Sequence, residues 1–482
     1  MANISDNIFR EYDVRGVFGK DLTEEVAELL ARAYAIYLRK NSPEKGDLKV
    51  TIGRDVRLSS PALRDSFIKG LSSSGINCMD IGACPTPLQY FSMNILKVHG
   101  GVMITGSHNP PEYNGFKISV GKETIHGNEI QRLKYVLREE VLKVAAEDKR
   151  TRHGEVDSFE VIPQYIENIA RRFSLPALNT PLKVVLDCGN GTAGPVAPEL
   201  LRRLGCDVIA LFPEPDGRFP NHHPDPTIPE NLKELINTVK KEKADFGVAY
   251  DGDADRIGVV DEKGEIIWGD NLMVIFAGAI LKKSPGATIV GEVKCSQVMY
   301  DEIERLGGRP VMWKTGHSLI KAKMKELKAA MAGEMSGHIF FADKYFGYDD
   351  AIYASCRLVE IMAEERQADK DFKFSRLLSG LPKTFSTPEI RIDCPDNLKF
   401  DVIERLGGIF SKGSDELKLK DVIRVDGLRA VFEGGWALVR ASNTQPVLVL
   451  RFEATSNELL KKAKGFVREG LKTAWPDVEA AF

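Results

Sequence analysis

Three aspartates alternate with small residues in the segment "DGDADR": Asp251, Asp253 and Asp255. Like charges that close repel one another, so a loop that keeps all three calls for a cation. Carboxylate oxygens suit a hard divalent ion such as Mg²⁺. A calcium EF-hand is excluded, although Glu262 stands twelfth from Asp251. Its sixth position is Arg256, where that loop needs glycine, and residues 257–260 read as an apolar strand. The plain alternative is an exposed acidic turn, and the flanking strand-like runs and the adjacent arginine argue against it.

A second segment, "GVMITGSHNPPEYNGFKI", places Ser107 between Gly106 and His108, with Lys117 nearby. The preceding apolar run presents Ser107 at the carboxyl end of a strand, where α/β proteins build their sites. Gly106 allows an unusual backbone angle or a close approach. A Ser–His–Asp hydrolase fits poorly, because adjacent side chains point apart and no GxSxG elbow surrounds the serine. A serine hydroxyl beside a divalent cation and a lysine suits phosphoryl transfer better. Taken alone, the segment also fits a glycine-rich turn with a solvated serine.

Three further clusters are weaker. "RASNT" gathers Arg440, Ser442, Asn443 and Thr444, donors that suit a phosphate, although a polar turn before Pro446 would look the same. "GEMSGH" sets Glu334, Ser336 and His338 between glycines, and a carboxylate and a hydroxyl two residues apart can grip sugar hydroxyls together. "GNGTAG", residues 189–194, matches the GxGxxG of a dinucleotide site, with Glu214 twenty residues beyond Gly194. That reading, an NAD-dependent dehydrogenase, puts Asp187 near the supposed pyrophosphate and leaves the serine and acidic loops without a task. No Walker A pattern occurs, which disfavours a P-loop kinase.

The elements that must position these loops follow a repeating scheme. "LKVTIGRD", "LKVVLDCGNG" and "ATIVGEVKCS" each read as a strand followed by a helix and a second strand. Three βαβ units point to three related α/β domains, although one large sheet fits the same pattern. The last hundred or so residues differ: "GGWALVRASNTQPVLVLRFEA" reads as two strands around a polar loop, and an amphipathic helix follows. Polar joints suggest domains over 1–156, 157–261, 262–374 and 375–482.

Composition narrows the classes. The 482 residues are 43% hydrophobic and 28% charged, ordinary for a globular chain. Sixty-six basic against 69 acidic residues argues against a nucleic-acid binder. No apolar run reaches membrane-spanning length, and no signal pattern opens the chain. Seven scattered cysteines without metal spacing suggest reduced thiols in a cytoplasm, and a monomer is the default.

Each loop alone is ambiguous, but "FREYDVRG", "TGSHNP", "DGDADR", "GEMSGH" and "RASNT" occur in an order that resembles the α-D-phosphohexomutase superfamily over essentially the whole chain. Within it the chain looks most like the bacterial bifunctional phosphomannomutase/phosphoglucomutase branch. Phosphoglucosamine mutases typically carry glutamine where Met335 stands. The resemblance implies four domains around a central cleft: three similar α/β domains with βαβ-containing mixed sheets, and a smaller C-terminal α+β domain. It implies interconversion of hexose 1-phosphate and 6-phosphate, of mannose or glucose, through a phosphoserine and a hexose 1,6-bisphosphate.

Residue roles carry over by motif. Ser107 would be the phosphoserine, and a phosphate oxygen on it would join Asp251, Asp253 and Asp255 around Mg²⁺. Arg15, His108, Lys117 and Arg256 would line the reacting centre. Lys117 would exchange a proton with the sugar hydroxyl, with His338 as competitor. Glu334 and Ser336 would hold the sugar, Tyr12, Lys294 and His317 would contact it, and Arg440, Ser442, Asn443 and Thr444 would hold the second phosphate. Ala254 stands where the family often has glycine. Other classes compatible with the same loops are a sugar-phosphate phosphatase and a catalytically silent binder.

Overall fold

The computed structural model describes residues 4–44, 46–143, 153–411, 413, 417–443, 445–479 and 482. The chain packs as two compact units, Met1–Leu272 with Ser336–Leu377, and Met273–Met335 with Leu378–Phe482.

The first unit holds two sheets. In the first, Lys49–Arg54 lies parallel to both Asn77–Ala83 and Gly100–Ile104. Gly100–Ile104 is buried throughout, which is why it reads as an unbroken apolar run. Tyr113–Val120 returns antiparallel beside it and pairs on its other edge with Val14–Val17. Helices Glu24–Asn41 and Ser60–Ser73 contribute to one core, where Phe67 stacks on Phe116 at 5.1 Å. The second sheet sets Lys183–Asp187 between the parallel strands Asp207–Leu211 and Phe246–Tyr250. Ile257–Asp261 runs antiparallel to Phe246–Tyr250, with Tyr250 opposite Ile257, so residues 251–256 form the tip joining the two.

The returning segment of this unit carries helix Ala351–Ala368, in which every residue from Ala351 to Ala363 is buried. Asp350 caps it, accepting from the Tyr353 amide at 2.8 Å and from the Tyr165 and Tyr345 hydroxyls at 2.9 and 2.6 Å.

In the second unit, Thr288–Glu292 lies parallel to Arg309–Trp313 and Met331–Gly333. A separate antiparallel sheet is built on Val447–Ala454, buried at all eight positions, and is backed by helices Lys399–Phe410 and Asn457–Ala474. Within this unit, the Arg429 guanidinium lies 3.9 Å from the Trp436 ring and donates to the Val293 and Cys295 carbonyls, tying residues 293–295 to the antiparallel sheet.

Separate sheets replace the single large sheet that the repeated βαβ pattern also permitted. Two sheets extend past the expected joints. Val156–Ser158 pairs with the first sheet, Val156 opposite Cys78, and Ile266–Ile267 pairs with Val259 and Val260 of the second. Val156–Ser158 is exposed throughout and Ile266–Ile267 has only two residues, so neither leaves a legible apolar pattern. Among the described residues, no helix is long and apolar enough to cross a membrane.

Burial pushes the Asp350 carboxyl up from 3.8 to about 6, against the hydrogen bonds that favour its charge. An acid raised in this way binds its proton more tightly folded than unfolded. Its contribution to stability is therefore full below pH of about 3.8 and withdrawn as pH rises through about 6. Asp350→Asn keeps a cap acceptor but has no proton to lose. The stability advantage of the wild-type chain over this variant, read from urea midpoints, is expected to shrink by on the order of 2–3 kcal/mol between about pH 4 and pH 7. A difference independent of pH would contradict this account.

Candidate active site

The loop after Gly100–Ile104 carries Thr105, Gly106, Ser107 and His108. Ser107 has φ of 49°, the left-handed region that non-glycine residues rarely occupy. Its Oγ is buried and donates to Asp251 Oδ2 at 2.8 Å, with His108 Nδ1 at 3.2 Å. The Ser107 amide donates to Thr105 Oγ1 at 2.8 Å, and that hydroxyl donates in turn to Asp253 Oδ2 at 3.1 Å. Thr86 Oγ1 donates to the same oxygen at 2.5 Å. The Ser107 hydroxyl and the acidic tip, far apart in sequence, thus meet directly.

Asp251, Asp253 and Asp255 are all fully buried, and one carboxylate oxygen from each lies within 4.8 Å of the others. The tip folds around Asp251 Oδ1, which accepts from the Asp255 and Arg256 amides at 3.1 Å each. Ala254 has φ of 56°, which accounts for a preference for glycine at that position. Lys117, opposite Met103 in the first sheet, donates to Asp253 Oδ2 at 3.0 Å and to Asp255 Oδ2.

The electrostatics follow from burial. Desolvation, with Asp253 and Asp255 alongside, pushes the Asp251 carboxyl well above its ordinary range. Burial also opposes the charge of Asp253, but Lys117 and the Thr86 hydroxyl overcome it and hold that carboxyl below the ordinary range. Lys117 is held well above its usual value, because the two aspartates outweigh its own burial. His108 is pushed well below 6.5 by burial, then by Arg256, Arg15, His338 and Lys117, so it is neutral at pH 7. Asp253 Oδ1 and Asp255 Oδ1 are buried and accept no hydrogen bond. All-oxygen donors, surplus negative charge and these two acceptors fit a hard divalent cation.

Arg256 Nε donates to His338 Nε2 at 3.0 Å. With Nε2 accepting, Nδ1 is the nitrogen left to donate, 3.2 Å from Asp349 Oδ2 and 3.6 Å from Asp255 Oδ1. The Ile257 amide donates to Gly337 O at 3.0 Å, which docks this part of "GEMSGH" on the acidic tip. Arg15 lies on Val14–Val17, paired with Asp13, and its charge is among those felt by His108. Tyr12 is half-buried in the bend just before that strand.

The second unit holds most of the other predicted contacts. Lys294 is buried, 3.2 Å from Glu389 and 3.8 Å from Glu292. Its own burial is outweighed by Glu292 and Glu389, so its pKa is raised, and the charges of Arg440 and Glu334 also reach it. Arg440 Nε donates to Asp426 Oδ2 at 2.9 Å, and the Thr315 amide donates to the same oxygen at 3.0 Å. Ser442 Oγ accepts from the Gln445 amide at 3.2 Å. Glu334 is buried, His317 opens helix His317–Leu327 half-buried, and Asn443 is half-buried. Ser336 begins the returning segment of the first unit, and Thr444 lies outside the described residues.

Several supporting residues escaped sequence reasoning. Glu292, within the quoted "GEVKCS", accepts from Lys294 N, Thr315 Oγ1 and Met335 N at 2.7, 2.8 and 3.3 Å and so joins three loops. Lys399 Nζ donates to the Ser442 and Gln445 carbonyls at 2.5 and 3.1 Å. Thr86 and Asp349 likewise lie outside those motifs, and Thr105, the first residue of "TGSHNP", carried no assigned role. The glycine fingerprint has a packing task. A Cβ at Gly194 would lie 1.8 Å from Pro213 O, and one at Gly191 would lie 2.8 Å from Gly252 O in the acidic tip. Asp187 accepts from the Gly189 amide and faces His222 at 3.0 Å, a carboxylate where a pyrophosphate would need donors.

Comparison with known proteins identifies the family. Four family models match in order: phosphoglucomutase/phosphomannomutase α/β/α domain I at residues 6–135, domain II at 163–264, domain III at 268–385 and the C-terminal domain at 389–470. A phosphomannomutase/phosphoglucomutase of Pseudomonas aeruginosa is 48% identical over 466 residues, 97% of this chain and 96% of that protein. A phosphoglucomutase of Neisseria meningitidis is 41% identical, over 99% of this chain and all of that protein. The crystal structure of a phosphoglucomutase/phosphomannomutase family protein from Burkholderia thailandensis superposes with a TM-score of 0.88 at 41% identity, covering 99% of each chain. With all four domains matched in order, this chain belongs to the phosphoglucomutase/phosphomannomutase family.

Proposed function

We propose that Ser107 is the phosphoryl carrier of this hexose-phosphate mutase, an intramolecular phosphotransferase of the isomerase class. The observation that carries the assignment is the 2.8 Å contact of Ser107 Oγ with Asp251 of the buried triad. The substrates are mannose and glucose phosphates, in keeping with the names of the relatives.

In this reading the phosphoserine gives its phosphoryl group to the free hydroxyl of a hexose monophosphate. The P–O bond to Ser107 breaks as the bond to the sugar oxygen forms, and the serine oxygen leaves into the triad side of the site. The resulting 1,6-bisphosphate turns round, and its other phosphoryl group returns to Ser107. Asp251, Asp253 and Asp255 would hold Mg²⁺, with an oxygen of the phosphoserine as a further ligand; bound there, the ion supplies charge neutralisation for the transferring group. Arg15 and Arg256 add fixed positive charge. Lys117 or His338 exchanges the sugar hydroxyl proton; held protonated by Asp253 and Asp255, Lys117 can give a proton to the returning sugar oxygen, whereas accepting one requires that it first lose its own. Neutral His108 orients the serine oxygen through its contact at 3.2 Å.

Glu334 and Ser336 grip the sugar hydroxyls, with Tyr12, Lys294 and His317 as further contacts. Arg440, Ser442, Asn443 and Thr444 hold whichever phosphate is not reacting. Seven cysteines that are all buried and unbridged fit a reducing compartment such as a cytoplasm, and a monomer is kept as the default. The four domains are 1–156, 157–261, 262–374 and 375–482.

Phosphorus NMR of the protein with glucose 1-phosphate or mannose 1-phosphate, Mg²⁺ and a trace of bisphosphate should show the 6-phosphate appear. Ser107→Ala is expected to lower turnover by about 10³-fold or more while leaving substrate affinity within a few-fold. Unchanged turnover would remove Ser107 from the mechanism, and steady release of inorganic phosphate by the wild-type protein would point to a phosphatase. Chelation should abolish activity and added Mg²⁺ restore it. In Asp253→Asn, the Mg²⁺ concentration for half-activity should rise at least about tenfold, and an unshifted titration would disprove the metal assignment.

A further inference from the structure

We infer that Arg57 is a positioning residue for the nucleophile, setting the backbone of the loop that presents Ser107. The inference rests on the reading of Ser107 as phosphoryl carrier. Arg57 is wholly buried, and its guanidinium spends its hydrogens almost entirely on that loop. Nη2 donates to Ser107 O at 2.7 Å and to Asn109 O at 2.6 Å. Nη1 donates to Pro110 O and to Tyr113 O at 3.0 Å. Nε donates to Asp55 Oδ2 at 3.1 Å, and the same oxygen accepts the Gly106 amide at 3.0 Å. One planar cation thus satisfies four main-chain carbonyls between residues 107 and 113, while its own carboxylate partner holds the residue before the serine.

The geometry requires both arginine and glycine. A Cβ on residue 106 would lie 2.4 Å from Arg57 Cζ, so Gly106 is what lets the guanidinium slide under the turn. The Phe219 ring covers the cation at 5.3 Å. A lysine ammonium has three tetrahedral donors and cannot span four carbonyls arranged around a fork. Ser107 holds its left-handed backbone only while its surroundings over-determine it, and that backbone aims Oγ at Asp251. Arg57 makes no hydrogen bond to the Ser107 hydroxyl or to the triad; Asp253 feels its charge, but every hydrogen bond it donates to the site goes to the loop or to Asp55.

A purely structural arginine would change the amount of folded protein and leave each correctly folded site working at the normal rate. The test therefore counts sites. Wild type, Arg57→Lys and Asp55→Asn are charged with glucose 1,6-bisphosphate, and the phosphate on residue 107 is quantified by mass spectrometry. For each, kcat per phosphoserine, KM for glucose 1-phosphate, and the ratio of inorganic phosphate released to sugar isomerised are measured. In Arg57→Lys, kcat per phosphoserine is expected to fall about 100-fold with KM within about threefold, because a displaced serine oxygen weakens transfer more than binding. The inorganic phosphate ratio should rise about tenfold, as water competes with a poorly aligned sugar hydroxyl. Asp55→Asn should show the same split at about tenfold, and it decides the matter if Arg57→Lys does not fold. Wild-type kcat per phosphoserine in the folded variants, or a rise in KM alone, overturns the inference. An active wild-type protein without phosphate on residue 107 overturns the parent reading instead.

Discussion

Three carboxylates buried within one short tip are the constraint around which the first unit is organised. Two unit charges 4 Å apart repel by about 4 kcal/mol even at an effective dielectric near 20, and here three are packed together away from water. The fold offsets this with Lys117, with main-chain amides closing on Asp251 Oδ1, and with the hydroxyls of Thr86 and Thr105 on Asp253. Two carboxylate oxygens still accept no hydrogen bond. A tip arranged in this way is far more favourable with a divalent cation in it, which is why it reads as a site and not as an ornament of the sheet.

That electrostatic demand explains why the acidic tip and the serine loop sit where they do. Each lies at the carboxyl end of a buried parallel strand, Phe246–Tyr250 in one sheet and Gly100–Ile104 in the other. Lys117 comes from the antiparallel neighbour of the serine strand, so one sheet supplies both the Ser107 hydroxyl and the cation that balances the triad. Threonines of the first sheet's helix and loop reach the aspartate of the second. The contact between Ser107 and Asp251 is therefore held from both sides, and the strained backbone at Ser107 persists because its neighbours leave it no other conformation.

The second unit applies the same principle with opposite sign. Its candidate phosphate and sugar contacts are cations kept in place by acids: Lys294 by Glu389 and Glu292, Arg440 by Asp426. Burial disfavours the Glu389 charge, but Lys294 and Arg391 hold that carboxyl down at about 2. Such pairs keep long side chains in one rotamer before any anion arrives, which lowers the ordering cost of binding. Arg429, wedged on Trp436 and bonded to the Val293 and Cys295 carbonyls, anchors the loop that carries Lys294.

The motifs were legible because chemistry demands unusual residue types at short spacing: alternating aspartates, a serine between glycine and histidine, an arginine with hydroxyls and an amide. The repeated βαβ scheme was legible because buried parallel strands are continuous apolar runs. Short or exposed edge strands such as Val156–Ser158 were not, since they bury nothing that would pattern them. Nor were Glu292, Lys399, Thr86, Thr105 and Arg57 recognisable as supports of the site, because each has partners remote in the chain, and a lone charged residue or threonine in sequence carries no sign of them. The order of residues by itself determined which groups were available and which class of chemistry they could serve. Tertiary structure alone decided that Ser107 Oγ meets Asp251, that the glycine fingerprint packs against the acidic tip, and that an arginine lies beneath the serine. Those outcomes depend on distances across sheets, and hydrogen bonding and Coulomb interactions act through space without regard to separation along the chain.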